Sequence, residues 1–255
     1  MRLKVLGCSG GIGGGQRTTS FLLGRHTLLD AGTGVGDLSI AELQQIDHLF
    51  LTHAHLDHIC MLPLLVDTVG PLRDSPLLVY ASSATLATLR QHVFNWHIWP
   101  DFSEIPSAEA PFLRFVAMEE GESFTPEPGL TLTALPAVHT VPAVGYRIDS
   151  SKHSVVFTGD TTINDAFWPI VNQINSLKAL IIETAFCNRE RAVAEASKHL
   201  CPAMLASELA RLERDADIFI THLKPGEIEL TMQEIGEDAG RYRPRMLKNG
   251  QIIDF

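Results

Sequence analysis

Four short apolar runs in this chain each hand over to a histidine or an aspartate. "HLFLT" runs into His53, "LTLTALPAV" into His139, "SVVFTG" into Asp160 and "DIFIT" into His222. Such runs read as buried strands. A fold that accommodates them therefore has to bring four strand ends to one edge, or strand four polar groups at the border of a core. Taken singly, each has an ordinary explanation, since a histidine closing a strand is commonly a surface or capping residue and "GD" is a common turn. The stretch around His53 removes that explanation. "THAHLDH" (52–58) crowds His53, His55, Asp57 and His58 together. Imidazoles and carboxylates offer lone pairs that repel one another unless protons or a metal lie between them.

The joint pattern makes seven residues the expected metal ligands: His53, His55, Asp57, His58, His139, Asp160 and His222. Seven suffice for two divalent ions. His53, His55 and His139 would hold one, Asp57, His58 and His222 the other, with Asp160 as the bridge. Two ions roughly 3.5–4 Å apart clamp a water and stabilise the attacking and leaving oxygens of a displacement. Nitrogen and carboxylate ligands without thiolate suit zinc, manganese or iron. Zn²⁺ is the first expectation, with Mn²⁺ and Fe²⁺ left open.

Strands are expected at 2–7, 19–24 and 26–32, the last two as a hairpin, and at 47–52, 76–82, 112–117, 130–136, 144–149, 153–158, 179–186 and 217–222. Helical patterns cover 35–45, 58–69, 83–96 and 202–213. Strands thus come in runs with helices inserted between them. That pattern fits two packed sheets with helices outside better than a strictly alternating parallel sheet. No fixed-period repeat or linker-like composition divides the chain, so residues 1–255 are expected to form one domain.

A net charge of −10 argues against holding long nucleic acid through its phosphates, though not against a small anion drawn to bound metal. Cys8, Cys60, Cys187 and Cys201 form no CxxC pair and read as reduced, partly buried thiols. "VLGC" (5–8) has no apolar segment before it, which rejects a secretory signal, and no apolar run approaches a membrane span. A cytoplasmic protein without a membrane partner is expected, with homodimerisation left open.

On "THAHLDH", His139, Asp160 and His222, in that order and with "LLDAG" upstream, the chain resembles the metallo-β-lactamase superfamily from residue 3 to about residue 226. The resemblance implies a four-layer αββα sandwich of two mixed sheets, with metals at one edge. "IWPDF" (98–102), "HTVPAVGYRI" (139–148), "ETAFCNRERAVAEASKHLCP" (183–202) and "THLKP" (221–225) are similar to class II 3′,5′-cyclic-nucleotide phosphodiesterases. "KHL" and "ETAF" are also similar to parts of tRNA 3′-processing endonucleases. The implied activity is hydrolysis of cAMP or cGMP to the 5′-monophosphate by a hydroxide that two metals activate. A tRNA-end endonuclease or other phosphodiesterase, and a thioester or lactone hydrolase, are alternatives on the same metal core. A nucleotide sensor that kept the fold without catalysis would be marked by lost ligands, and none is lost. In "HICML" the chain departs from the small residues usual in the family after the second metal histidine, so the pocket floor is expected to differ through Cys60 and Met61.

His199, Asp57 and Asp160 are expected to carry the chemistry. His199 stands just ahead of a helix starting near Pro202, where free N–H groups favour a phosphate. From there an imidazole would protonate the departing sugar oxygen. Asp30 in "LLDAG" and Glu183 in "ETAF" are expected behind the ligands. Asp30 would orient a ligand histidine through its other nitrogen, with an Asx turn as the alternative. Lys224 in "THLKP" is expected near a phosphate oxygen or simply solvated. Trp99 and Phe102, with Trp96 nearby, would wall the pocket and stack on a base, or else pin their loop to the core. "GGIGGG" (10–15) lacks the Lys and Ser/Thr of a P-loop and reads as a flexible turn at the pocket rim.

Overall fold

Short apolar runs punctuated by Gly, Pro and Asp make strands too short to bury a core alone, and they do so by stacking as two sheets. The computed structural model describes residues 1–255. The first sheet begins with β1 (Arg2–Gly7), β2 (Ser20–Leu23) and β3 (Thr27–Leu29), each antiparallel to the next. It continues in parallel through β4 (His48–Phe50), β5 (Leu77–Ala81) and β6 (Leu113–Ala117). The second opens with the antiparallel strands β7 (Ser123–Glu127), β8 (Leu130–Pro136), β9 (Val144–Ser150) and β10 (Ser154–Phe157). It then runs parallel through β11 (Leu177–Glu183), β12 (Asp217–Thr221) and β13 (Arg245–Met246). Finally β14 (Ile252–Asp254) returns to the first sheet beside β1, where the Met1 ammonium donates to the Phe255 carbonyl at 2.6 Å.

Between the sheets lies a core of 23 buried side chains drawn from both. Phe21 meets Phe157 edge-on at 5.1 Å, and Phe50 stacks on Tyr80 at 4.5 Å. Tyr146 is fully buried, so its hydroxyl must find a partner. It donates to the Leu51 carbonyl at 3.0 Å and ties the second sheet to the first just ahead of the histidine stretch. On the outer face of the first sheet pack α1 (Ile40–Leu43), α2 (Leu56–Ile59), α3 (Leu62–Val69) and α4 (Ser83–His92). The second sheet is covered by α5 (Phe167–Val171), α6 (Arg191–Ser197), α7 (Pro202–Leu209) and α8 (Ile228–Ala239). The layers are therefore αββα, as the strand pattern implied. No helix is long and apolar enough to cross a membrane.

Several elements differ from the sequence expectations. The helix expected over 35–45 is a 3₁₀ turn at Thr33–Asp37 followed by α1, which restarts because Ser39 and Glu42 form a capping box. The run over 58–69 begins earlier, at Leu56, and breaks between Ile59 and Leu62. Pro63, which has no N–H to give, sits in the first turn of α3. The strand expected over 179–186 starts at Leu177 and stops at Glu183, and α7 stops at Leu209.

The topology prepares a site. Strands β8, β10, β11 and β12 all end at the same edge of the second sheet. At that edge His222 N–H donates to the Cys8 carbonyl at 2.8 Å, and Ser9 forms a bridge with Leu223, stitching the two sheets together.

Candidate metal centre

Each expected ligand arrives just past a strand. His53 lies three residues past the end of β4. His55 is the N-cap of α2, so Asp57 and His58 enter in that helix's first turn. His139 and Asp160 lie three residues beyond β8 and β10. His222 follows β12 directly, in the left-handed region at φ 63°. A non-glycine residue there costs on the order of 1–2 kcal/mol, and the bond to Cys8 holds it in place. Gly10 lies against the ring. A Cβ at Gly10 would fall 2.6 Å from the His222 carbonyl oxygen and 2.9 Å from its Cδ2.

The structure gathers these residues into two groups that share Asp160. One holds His53, His55, His139 and Asp160, the other Asp57, His58, Asp160 and His222, with the ligand atoms of each group within 4.8 Å of one another. Asp160 Oδ2 is 3.6 Å from His53 Nε2 and 3.3 Å from His58 Nε2, while Oδ1 is 3.3 Å from His222 Nδ1. Six of the seven positions are thus distributed around one carboxylate and its neighbours, with only His55 and Asp57 half-exposed on the open side. Four buried nitrogens have no hydrogen-bond partner: His53 Nε2, His58 Nε2 and both nitrogens of His222. Leaving one buried polar atom unpaired costs about 1–3 kcal/mol. Three of the four nitrogens face Asp160 and the fourth, His222 Nε2, lies 3.7 Å from Asp57 Oδ2, an arrangement that fits a cation-binding set far better than a hydrogen-bond network, and no thiolate joins them.

The electrostatics agree. Burial pushes His53 well below its ordinary value, His139 down to about 4 and His222 down to about 3, which leaves neutral rings with lone pairs to give. Burial also pulls His58 down, but Asp160 and Asp30 outweigh it and hold the ring well above its ordinary value. A cation at Nε2 would take the place of that proton. Burial alone would raise Asp160, yet the surrounding His222 and His58 keep its carboxyl well below the usual range and therefore ionised.

Behind the ligands, buried groups set which nitrogen faces the centre. His58 Nδ1–H donates to Asp30 Oδ2 at 2.7 Å, so only Nε2 points forward. Asp30 Oδ1 accepts from Thr52 N–H at 2.8 Å, and Thr52 Oγ1 donates to Asp30 Oδ2 at 2.9 Å. With its proton spent there, the Thr52 hydroxyl accepts from His53 Nδ1–H at 2.9 Å, and His53 Nε2 is presented in turn. His139 Nδ1 donates to the Lys198 carbonyl at 3.1 Å, offered by a residue at φ 54°. The sequence gives no role to Thr52 or Lys198, and it presents Gly10 only as part of a turn at the rim. Only the threonine beside His53 carried a signal that could have been used.

His199 is buried beside the centre, stacked on His222 with centroids 5.1 Å apart and edge-on to His139 at 4.9 Å. Its Nδ1–H donates to Glu183 Oε1 at 2.8 Å. Burial lowers the ring's affinity for a proton, but Glu183 outweighs it and the net shift is upward. The carboxylate is itself fixed by the N–H groups of Thr161 and Leu200.

Four expectations need correction. The start of α7 is not open to a phosphate, because Pro202 has no N–H and Ala203 N–H goes to Asn188 Oδ1 at 2.9 Å. Lys224 Nζ donates to the Gly10 carbonyl at 2.7 Å and so clamps the glycine turn behind His222. Phe102 is buried in the outer core with Phe94 and Phe112, and Trp99 packs against the same cluster. The loop is pinned to the core, and the buried Phe102 has no face left for a base, while Trp99 keeps part of its surface exposed. Met61 also packs on that outer core, beside Gly36, rather than flooring the site.

The Beta-lactamase superfamily domain model matches residues 25–237. The chain belongs to this family. Among relatives of this β-lactamase-superfamily protein, a probable 3′,5′-cyclic-nucleotide phosphodiesterase of Yersinia pestis is 29% identical over 209 residues, covering 71% of this chain and 58% of its own length. A nuclear ribonuclease Z of Triticum aestivum is 34% identical over 109 residues, covering 43% of this chain and 58% of its own length. This chain thus spans little more than half the length of either. The crystal structure of unliganded yeast PDE1 superposes with a TM-score of 0.83 at 18% identity, over 100% of this chain and 99% of that one, and shows the shared fold.

Proposed function

We propose that this protein is a metal-dependent hydrolase that opens the phosphodiester of a 3′,5′-cyclic nucleotide, cAMP or cGMP, to the nucleoside 5′-monophosphate. The observation that carries the reading is the position of Asp160, one buried carboxylate shared by two ligand groups that are otherwise separate. His53, His55 and His139 would hold one divalent cation, Asp57, His58 and His222 the other, and Asp160 would serve both. Bound there, the cations, zinc first and manganese or iron as alternatives, supply Lewis acidity for an in-line displacement at phosphorus.

The chain's own residues supply positioning and a proton. Asp30 and Thr52 hold the His58 and His53 rings in one orientation, with Nε2 of each turned to the centre. Opening the cyclic diester expels a sugar alkoxide, a poor leaving group until protonated. Glu183 occupies Nδ1 of His199 and keeps the ring's proton affinity raised, which leaves Nε2 to donate to that oxygen. The phosphodiesterase relative and the segments around "IWPDF" and "SKHLCP" support the choice of substrate.

A second reading, cleavage at tRNA 3′ ends, is favoured by the ribonuclease Z relative. The net charge of −10 counts against it, since long RNA is held largely through its phosphates. Purified, zinc-loaded protein assayed against cAMP, cGMP, bis-nitrophenyl phosphate and a tRNA precursor separates the two. Turnover of cyclic nucleotide is the expected result. Trimming of the precursor with cyclic nucleotides untouched would establish the second reading, and cleavage of none of the four would overturn both.

A further inference from the structure

At the end of the second sheet opposite the metal centre, where β11 and β12 begin, lies a cavity of ≈ 740 Å³. Five of the chain's 20 lysines and arginines line it: Lys178, Arg214, Arg241, Arg243 and Arg245. Only two carboxylates, Asp215 and Asp217, line it with them. Asp217 is already matched, by Arg245 at 2.7 Å and Lys178 at 3.6 Å. Arg214 donates to the Asn172 carbonyl, and the Arg241 guanidinium lies over the Tyr242 ring at 4.6 Å. Arg214, Arg241 and Arg243 have no acidic partner, although the protein as a whole carries ten negative charges in excess. Arg243 also adopts φ 52°, a turn conformation that glycine would take at less cost.

We infer that this cavity is a second anion site, distinct from the metal centre, that takes a small molecule with two or more linked phosphate groups. Guanidinium forks match phosphate oxygens two at a time, and three forks without an acidic partner exceed what one phosphate group can satisfy. The volume falls within the roughly 300–1,000 Å³ typical of small-ligand sites. Asp215 and Asp217 within the lining disfavour an extended polyanion, so an RNA backbone is the poorer fit. Strand β12 separates the two sites by about 16 Å, at roughly 3.3 Å for each residue from Asp217 to His222. One molecule bound in the cavity is therefore not the one bound at the metals.

Calorimetric titration of the holoenzyme with pyrophosphate in excess Mg²⁺ tests this, beside the variant Arg241→Ala/Arg243→Ala. Both side chains are exposed, and any binding at the metal centre is common to the two proteins. One class of pyrophosphate site should weaken at least tenfold in the variant, while hydrolysis of bis-nitrophenyl phosphate is unchanged. Arg243→Gly, which keeps the left-handed turn without strain, should weaken binding as well, and so excludes a folding defect. ADP as a second probe separates the sources: equal affinity assigns the site to the phosphate chain alone, and tighter ADP binding to a nucleotide. Superimposable pyrophosphate isotherms for wild type and variants would overturn the proposal. So would a tRNA that binds through these arginines when pyrophosphate does not.

Discussion

His58 donates from Nδ1 to the Asp30 carboxylate across 2.7 Å, and neither side chain has any solvent exposure. The bond makes His58 a one-sided ligand, and the same carboxylate, through Thr52, does likewise for His53. Asp30 thus orients one histidine of each ligand group.

Asp30→Ala is predicted to leave the Thr52 N–H, the Thr52 hydroxyl and His58 Nδ1 without their acceptor. Breaking a buried pair of this kind costs about 3–5 kcal/mol, and losing such a support weakens metal binding about 10–100-fold. Urea melting and zinc competition measure the two effects. Wild-type zinc affinity in the variant would reduce Asp30 to a structural residue.

Asp160→Ala should lower metal content further than Asp30→Ala does and abolish phosphodiester hydrolysis, because Asp160 belongs to both groups. Elemental analysis after gel filtration reads this directly. Equal metal loss in the two variants would contradict the shared position of Asp160.

Gly10→Ala is predicted to disturb His222 from behind, since the added methyl group would sit 2.6 Å from its carbonyl oxygen. Overpacking of this kind costs about 1–3 kcal/mol. The readable effect is selective loss of one of two bound cations, the one held by His222. A variant that retains both at wild-type affinity would show that the glycine turn yields instead.

His199→Ala should slow cyclic AMP hydrolysis by about 10²–10⁴-fold, the usual worth of a positioned general acid. Bis-nitrophenyl phosphate needs no protonation of its leaving group and should lose far less, with bound metal unchanged. Equal losses on both substrates would make His199 a positioning residue for the phosphate.

Much of this was legible in residue order, for physical reasons that can be named. A ligand placed just past an apolar run is visible because strands deliver their ends to a common edge, and the HxHxDH spacing survives any error in strand boundaries. What lay hidden were partners far apart in sequence. Thr52 gains meaning only once Asp30 is folded beside it, 22 residues away in the chain. Gly10 lies behind His222 because β1 and β12 meet at the sheet junction. Phe102 misled because an aromatic among prolines looks the same whether it faces a base or the outer core. Strand β14 has no reading apart from its partner β1 at the opposite terminus, whereas α8 carries a legible apolar stripe of Ile228, Met232, Ile235 and Ala239.

We propose that two cations held around Asp160 would make this protein a cyclic-nucleotide phosphodiesterase. Metal-stripped protein titrated with Zn²⁺ while cyclic AMP turnover is followed tests it most directly. Activity should rise until two equivalents per chain are bound, with 5′-AMP as the product. Protein that binds two equivalents of zinc yet turns over neither cyclic AMP nor cyclic GMP would contradict the account.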